Sequence, residues 1–417
     1  MDNQTASFVQ EVLNRDSVSS VRAVVTGVGA VTPLGVGVDS LMSRWIDGEC
    51  GIHDGVGRCT EFDPADVLSS KELRRGDRYT HLALAAAAEA IEGAGWAELP
   101  YPPERISCVM GTGIGGLVTF EENFEVLRDG GPDRVPPLMI PTMIPNASAA
   151  SVAIRYGFQG EVFGVVSACA SSAHAIGAGL RVLATRTTDA VVVGGSDAPH
   201  APLIHAGCVT MGAASRLGVS RPFDRRRDGF ILSEGAGALV LEKPATAARR
   251  GASVLGEIAG YGATCDAFHL TAPHPTGEPA ERAMRLALDD AGLEPDDVDY
   301  INAHGTSTQL NDRTETLSIK AVMGKRAHRV PVSSTKSAVG HLLGGAGVVE
   351  AVATLAALRL RIAPPTLGLE EPEEGLDLNY VQGVAQPLPP PEEKATLVGL
   401  SNAFGFGGHN AVVALRA

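Results

Sequence analysis

The stretch EVFGVVSACASSAHAIGAGLRVLATRTTDAVVVGG, residues 161–195, reads as strand, helix and strand in succession. Glu161–Val166 is an apolar, Val-rich run of strand length. Ser171–Ala184 is a helix rich in Ala and Gly, and Asp189–Gly195 is a second short apolar run. Neither strand alternates polar with apolar residues, so both faces are expected to be buried, as in a sheet covered by helices on each side. The same alternation extends in both directions. Val21–Val31, turning at Gly27 and Gly29, Ile106–Met110, Gly235–Glu242 and Val254–Ile258 read as strands. Asp39–Gly48 and Tyr79–Gly95 read as helices. Beyond residue 265 the pattern restarts with helices at Glu281–Ala291, Thr314–Met323 and Gly347–Leu360 and strands at Val298–Asn302, Ala395–Leu400 and Asn410–Leu415. This predicts an α/β protein layered helix–sheet–helix–sheet–helix. Ala-rich segments such as Leu82–Ala90 are apolar most of the way round and are expected between sheets. Gly130–Pro145 holds five prolines and is expected to be a long ordered loop. No internal repeat is readable.

The chain has 417 residues, 44% of them hydrophobic and 20% charged, with 5% aromatics and 49 glycines. Such a chain buries a sizeable core built from Ala, Val, Leu and Gly. The net charge of −14 opposes phosphate backbones, so nucleic-acid binding is not expected. Only six of the basic residues are Lys. The six cysteines (50, 59, 108, 169, 208, 265) form no C-x-x-C pair and have no zinc-like spacing with His, so no metal is expected. Met1–Ser20 is polar, without a secretory apolar core, and no uninterrupted apolar run reaches the roughly 18 residues of a membrane span. A cytoplasmic enzyme with free thiols, away from membranes, is the expectation.

Four segments carry candidate chemistry. Cys169 lies where a strand gives way to a helix, where the helix dipole and free N–H groups are expected to lower a thiol pKa. Asn302-Ala-His-Gly-Thr-Ser-Thr308 places His304 at a strand exit. Ser333–Gly347 holds Lys336 five residues before His341. Ser401-Asn-Ala-Phe-Gly-Phe-Gly-Gly-His-Asn410 sets Phe404 and Phe406 among glycines, on a loop expected to be flexible. One Cys, two His and one Lys at separate strand exits suggest nucleophilic catalysis with polarising imidazoles.

Together with Gly111–Gly116, Arg221–Gly229 (RPFDRRRDG) and Ser233–Gly237, these segments resemble the elongating β-ketoacyl-acyl carrier protein synthases of the thiolase superfamily, from about Val21 to Leu415. The resemblance implies a thiolase fold, a duplicated five-layered α-β-α-β-α sandwich. A tail over 1–20 would precede halves over 21–265 and 266–417. It implies decarboxylative condensation of malonyl-carrier protein with an acyl chain held on Cys169, in fatty acid biosynthesis. No cofactor is required beyond the phosphopantetheine on the acyl carrier protein. His304 and His341 would serve the enolate, with Lys336 holding the site's polarity, paired with Glu315. The N–H groups of Cys169 and Phe406 would form an oxyanion hole, and Phe406 would also act as a gate. Ile114, Leu138, Met139, Thr306, Thr308 and Phe404 would contact substrate, and Lys71, Arg74 and Arg75 would dock the carrier. Partners would be the carrier protein and a second copy of the chain, or a chain-length-factor-like subunit. Pro137–Ile140 stands where a pair of Phe is common, Ser167 and His409 where Thr is common. These departures keep open an alternative, the ketosynthase subunit of a type II polyketide synthase paired with a chain-length factor. A non-catalytic, carrier-binding subunit is disfavoured by the complete Cys169, His304, His341 and Lys336 set.

Overall fold

The computed structural model describes residues 22–417. The tail expected over 1–20 lies outside the described residues. Strands β1 (Ala23–Thr32), β2 (Ile106–Gly111), β3 (Val162–Val165), β4 (Ala190–Asp197) and β5 (Gly235–Glu242) lie side by side in the order β3-β2-β4-β5-β1. Strands β6 (Gly256–Cys265), β7 (Tyr300–Asn302), β8 (Val332–Ser333), β9 (Val398–Gly405) and β10 (His409–Arg416) lie in the order β8-β7-β9-β10-β6. In each set the first three strands are parallel and the last two are joined antiparallel. The two sets therefore match strand for strand, a duplication of topology that the residues themselves do not display. Ala23–Val25 pairs with Gly256–Ile258 and joins the sets. By pairing, β6 opens the second set, ahead of the boundary expected after residue 265.

Five helices complete the layers: α1 (Arg78–Gly93), α2 (Ser171–Ala184), α3 (Glu278–Ala291), α4 (Gln309–Met323) and α5 (Ala346–Leu360). Helices α2 and α5 follow the equivalent strands β3 and β8 and pack together between the sets. Helix α1 covers the outer face of the first set, α3 that of the second. Successive residues of each strand face opposite ways. Thus Val191, Val193, Leu239 and Leu241 join the core around α2 and α5, while Ala190, Val192, Ala238 and Val240 join the core around α1. The Ala-rich Leu82–Ala90 segment lies in an outer layer, contrary to expectation. The most enclosed of these five helices is α5, in which Ala346–Leu355 is wholly buried. Leu343–Leu360 is long and apolar enough to cross a membrane, with mean hydropathy 1.5, but 78% of it is buried in this core.

Strand β1 does not turn at Gly27 and Gly29 but runs through both. A Cβ on Gly27 would stand 1.9 Å from the Ala90 carbonyl oxygen, and one on Gly29 2.0 Å from that of Ala86. The glycines let α1 lie directly on the strand. The proline-rich segment is more regular than expected. A 3-10 turn occupies Pro132–Arg134 and a short helix Met139–Met143, each with its proline inside the first turn, where no N–H is required. An unforeseen helix, Leu117–Gly130, leads into it.

Candidate active site

Strand β3 ends at Val165 and α2 begins at Ser171. Between them Ala168 takes φ 51°, a left-handed conformation that turns the chain sharply before Cys169. The Ser171 hydroxyl holds this turn, accepting from Ser167 N–H at 2.8 Å and donating to the Ala168 carbonyl at 2.6 Å. Cys169 is buried, and burial pushes its thiol up to about 11, against the pull of the Lys336 charge and of the Phe406 and Cys169 N–H groups. The expected lowering fails because loss of solvation outweighs these attractions.

The segment expected to be one flexible loop is mostly strand. Ser401–Gly405 belongs to β9 and His409–Asn410 to β10, leaving Phe406-Gly407-Gly408 as the hairpin turn. Its glycines take φ 85° and 74°, which a side chain would oppose. Gly405 lies so close to the nucleophile's turn that a Cβ there would be 3.2 Å from Cys169 N. The Phe406 N–H and the Cys169 N–H thereby act on the same sulfur.

His304 follows β7. Its N–H and that of Gly305 each donate to the Glu315 carboxylate at 2.8 Å, and Asn402 Nδ2 donates at 3.0 Å. Glu315, on α4, is therefore occupied in holding the His304 backbone and is not the partner of Lys336, as had been expected. The Lys336 ammonium pairs instead with Glu350 on α5, both side chains being buried. Burial pushes the Glu350 carboxyl up to about 7, against the Lys336 charge. Lys336 Nζ also donates to the His304 carbonyl at 2.7 Å and contacts His304 Nδ1 at 3.2 Å. An ammonium has no lone pair, so Nδ1 must accept, and the ring proton then sits on Nε2. Glu350 left one sequence signal: it is the sole charge in Ala346–Leu358, and a carboxylate in so apolar a helix requires a partner.

His341 is fixed through its backbone. Its N–H donates to the Ile231 carbonyl at 2.7 Å and its carbonyl accepts from Ser233 N–H at 3.1 Å. Its ring lies 5.5 Å from that of His304, at 83° to it, and its Nδ1 is buried without a protein partner among the described residues. Burial first, then the Lys336 charge, keep both imidazoles well below the usual range, so both are neutral N–H donors at neutral pH.

Cys169, His304, His341, Thr306, Thr308 and Phe406 line one cavity of about 430 Å³. Glu315 and Phe404 also line it, with the Phe404 ring 5.8 Å from that of His304. Lys336 stands behind His304. Ile114, Leu138 and Met139 do not border the cavity. Ile114 donates its N–H to Asp197 at 3.3 Å, and Leu138 is 43% exposed at the start of the short helix Met139–Met143. Lys71, Arg74 and Arg75 are exposed on and just after the short helix Ser70–Leu73. Among the described residues no three His, Cys, Asp or Glu side chains are grouped as a metal would require. The arrangement offers one sulfur nucleophile, two backbone donors beside it and two neutral imidazole donors, a set suited to acyl transfer through a thioester with stabilisation of developing oxyanions.

Two family models match the chain: the β-ketoacyl synthase N-terminal domain over residues 21–247 and the C-terminal domain over 255–370. A 3-oxoacyl-[acyl-carrier-protein] synthase 2 of Synechocystis sp. is 43% identical, covering 95% of this chain and 98% of the relative. Among solved structures, a type II polyketide ketosynthase in complex with its acyl-carrier protein superimposes with a TM-score of 0.86 at 30% identity, covering 96% of this chain and 100% of the other. The ishigamide ketosynthase/chain length factor superimposes with a TM-score of 0.87 at 30% identity, over 95% and 99%.

Proposed function

The chain belongs to the β-ketoacyl synthase family, and from that premise we propose how its own residues carry out the reaction of a 3-oxoacyl-[acyl-carrier-protein] synthase. It is an acyltransferase of fatty acid synthesis with the thiolase fold. The observation that carries the residue assignment is the convergence of Cys169, His304 and His341 on one cavity from three separate segments of the chain. In the first stage Cys169 Sγ attacks the carbonyl carbon of an acyl thioester on the phosphopantetheine of a carrier protein. The new S–C bond forms, the pantetheine C–S bond breaks, and the thiol proton goes to the departing sulfur. The Cys169 and Phe406 N–H groups hold the tetrahedral oxyanion. In the second stage a malonyl thioester loses CO₂, and the electron pair of the broken C–C bond becomes an enolate. Its oxygen receives N–H from His304 and His341, each donor being worth about 10²–10³ in rate. The enolate carbon attacks the acyl-Cys169 carbonyl. Cys169 leaves as a thiolate and regains a proton, and the product is longer by two carbons.

Lys71, Arg74 and Arg75 are the proposed carrier dock. They are exposed, and among the described residues they enter no ion pair, so they are available to an acidic partner despite the chain's −14. A paired assembly is proposed at β3. It ends its set, carries no strand on its outer side among the described residues, and runs into Val166, which is 56% exposed. The partner is a second copy. The second reading, a chain-length-factor partner and a polyketide chain, is favoured by the solved relatives. The deciding experiment offers acyl-carrier protein alone, then malonyl-carrier protein. Expected are an acyl adduct on Cys169 by intact mass, then a 3-oxoacyl product with CO₂ release. Absence of both removes the reading.

A further inference from the structure

The Arg221–Gly229 segment stands out in the sequence and has no part in the chemistry above. It contributes no titrating group to the reaction, yet its contacts converge on two of the segments that bear it, the one after His304 and the one from Lys336 to His341. Arg227 is fully buried in its side chain, paired with Asp312 at 3.4 Å and Glu373 at 2.6 Å. Its Nε donates to the Thr308 carbonyl at 3.1 Å and its Nη2 to the Gln309 carbonyl at 3.0 Å. Two more bonds grip the neighbouring residue. Gly229 N–H donates to the Ser307 carbonyl at 3.0 Å and Arg221 N–H to the Ser307 hydroxyl at 3.1 Å. Ser307 needs that grip, since it takes φ 67°, where a side chain is strained. Phe223 N–H donates to Asp312 at 2.8 Å, closing the ring of contacts at the start of α4. At its flanks the same strap reaches the second of these segments. Ser220 donates its hydroxyl to the Lys336 carbonyl at 2.8 Å, and the Phe230 ring stands 5.2 Å from that of His341, edge to face.

We propose that this strap is a positioning device and that Arg227 is its key, fixing the Thr306–Gln309 backbone so that its hydroxyls and His304 keep register with Cys169 and His341. A planar guanidinium is what the task requires. It donates to two successive carbonyls while facing two carboxylates, which a lysine ammonium does not match in geometry. Arg227 touches neither thiol nor imidazole, so its effect passes through Thr308 and Gln309. Both of these border the cavity on the way to Cys169, and the thioester arm of either substrate passes them. This inference rests on the condensing reading above.

The test measures three things on Arg227→Lys and on the milder Glu373→Gln: KM and kcat for malonyl-carrier and acyl-carrier protein, alkylation of Cys169 by iodoacetamide, and the unfolding midpoint. Small misplacement at a reacting centre costs up to about 100-fold. R227K should raise the KM for both thioesters about tenfold, and E373Q about threefold, while alkylation of Cys169 stays within about twofold of the parent. A small reagent does not depend on the Thr306–Gln309 register, so it separates positioning from general loosening. The proposal is overturned if a folded variant keeps the parental KM, or if alkylation falls in step with turnover. Should R227K not fold, E373Q alone decides by the same criteria. If the parent enzyme condenses neither substrate, it is the functional reading that fails, not the strap.

Discussion

At Cys169 two general effects oppose each other. A thiol at the start of a helix gains from the dipole, but a thiol removed from water loses more. Burial pushes it to about 11, so at pH 7 to 9 its thiolate fraction is smaller than that of a free thiol. Alkylation of Cys169, followed by peptide mass, should therefore still rise about tenfold between pH 9 and pH 10. A plateau near the ordinary thiol range would contradict it. The buried Lys336–Glu350 pair has a larger consequence for stability. Removing one member of such a pair leaves the other charge without compensation, at about 3–5 kcal/mol. Glu350→Gln should cost that much in chemical denaturation, and a loss under about 1 kcal/mol would show that Lys336 has another counter-ion. Cys169, His304 and His341 were legible because each is a reactive side chain in a stretch rich in small residues. Glu350 stood out only as the sole charge in Ala346–Leu358, and its partner was not legible, because Lys336 lies on a different element.

Among the elements, the middle of most strands and helices was readable from apolar runs and helical spacing, while Leu117–Gly130 was not, and glycine-rich stretches carried two meanings. Gly27 and Gly29 look like a turn, yet they are the flat ground on which α1 rests. Gly29→Ala places a methyl about where the Ala86 carbonyl stands and should destabilise by about 1–3 kcal/mol through overpacking. Gly207→Ala is the control. It lies in the helix Pro202–Thr210 with nothing within 4 Å of the new methyl, and should be neutral or stabilising by up to about 1 kcal/mol. Equal losses at both positions would refute the packing argument. The Ser401–Asn410 glycines misled in the same way, because a hairpin with a three-residue turn and a long flexible loop have similar composition.

For the whole molecule, charge and assembly belong to surfaces that folding creates. Arg74→Glu with Arg75→Glu should raise the KM for carrier protein severalfold and leave alkylation of Cys169 unchanged. Unaltered carrier kinetics would place the dock elsewhere. Val166→Lys, beside the open edge of β3, should shift sedimentation toward single chains, and an unchanged distribution would move the interface away from that edge. The order of strands and helices, the buried faces and the four reactive segments were set by the sequence itself, because apolar periodicity and local residue chemistry act over a few residues. The tertiary structure alone decided that Lys336 faces Glu350 while Glu315 holds the backbone of His304. It alone decided that the Cys169 thiol is raised rather than lowered, and it shows strand for strand the duplication that only the family resemblance had implied. Each of these depends on groups far apart in the chain and on how much water the closed core excludes, which no local pattern encodes.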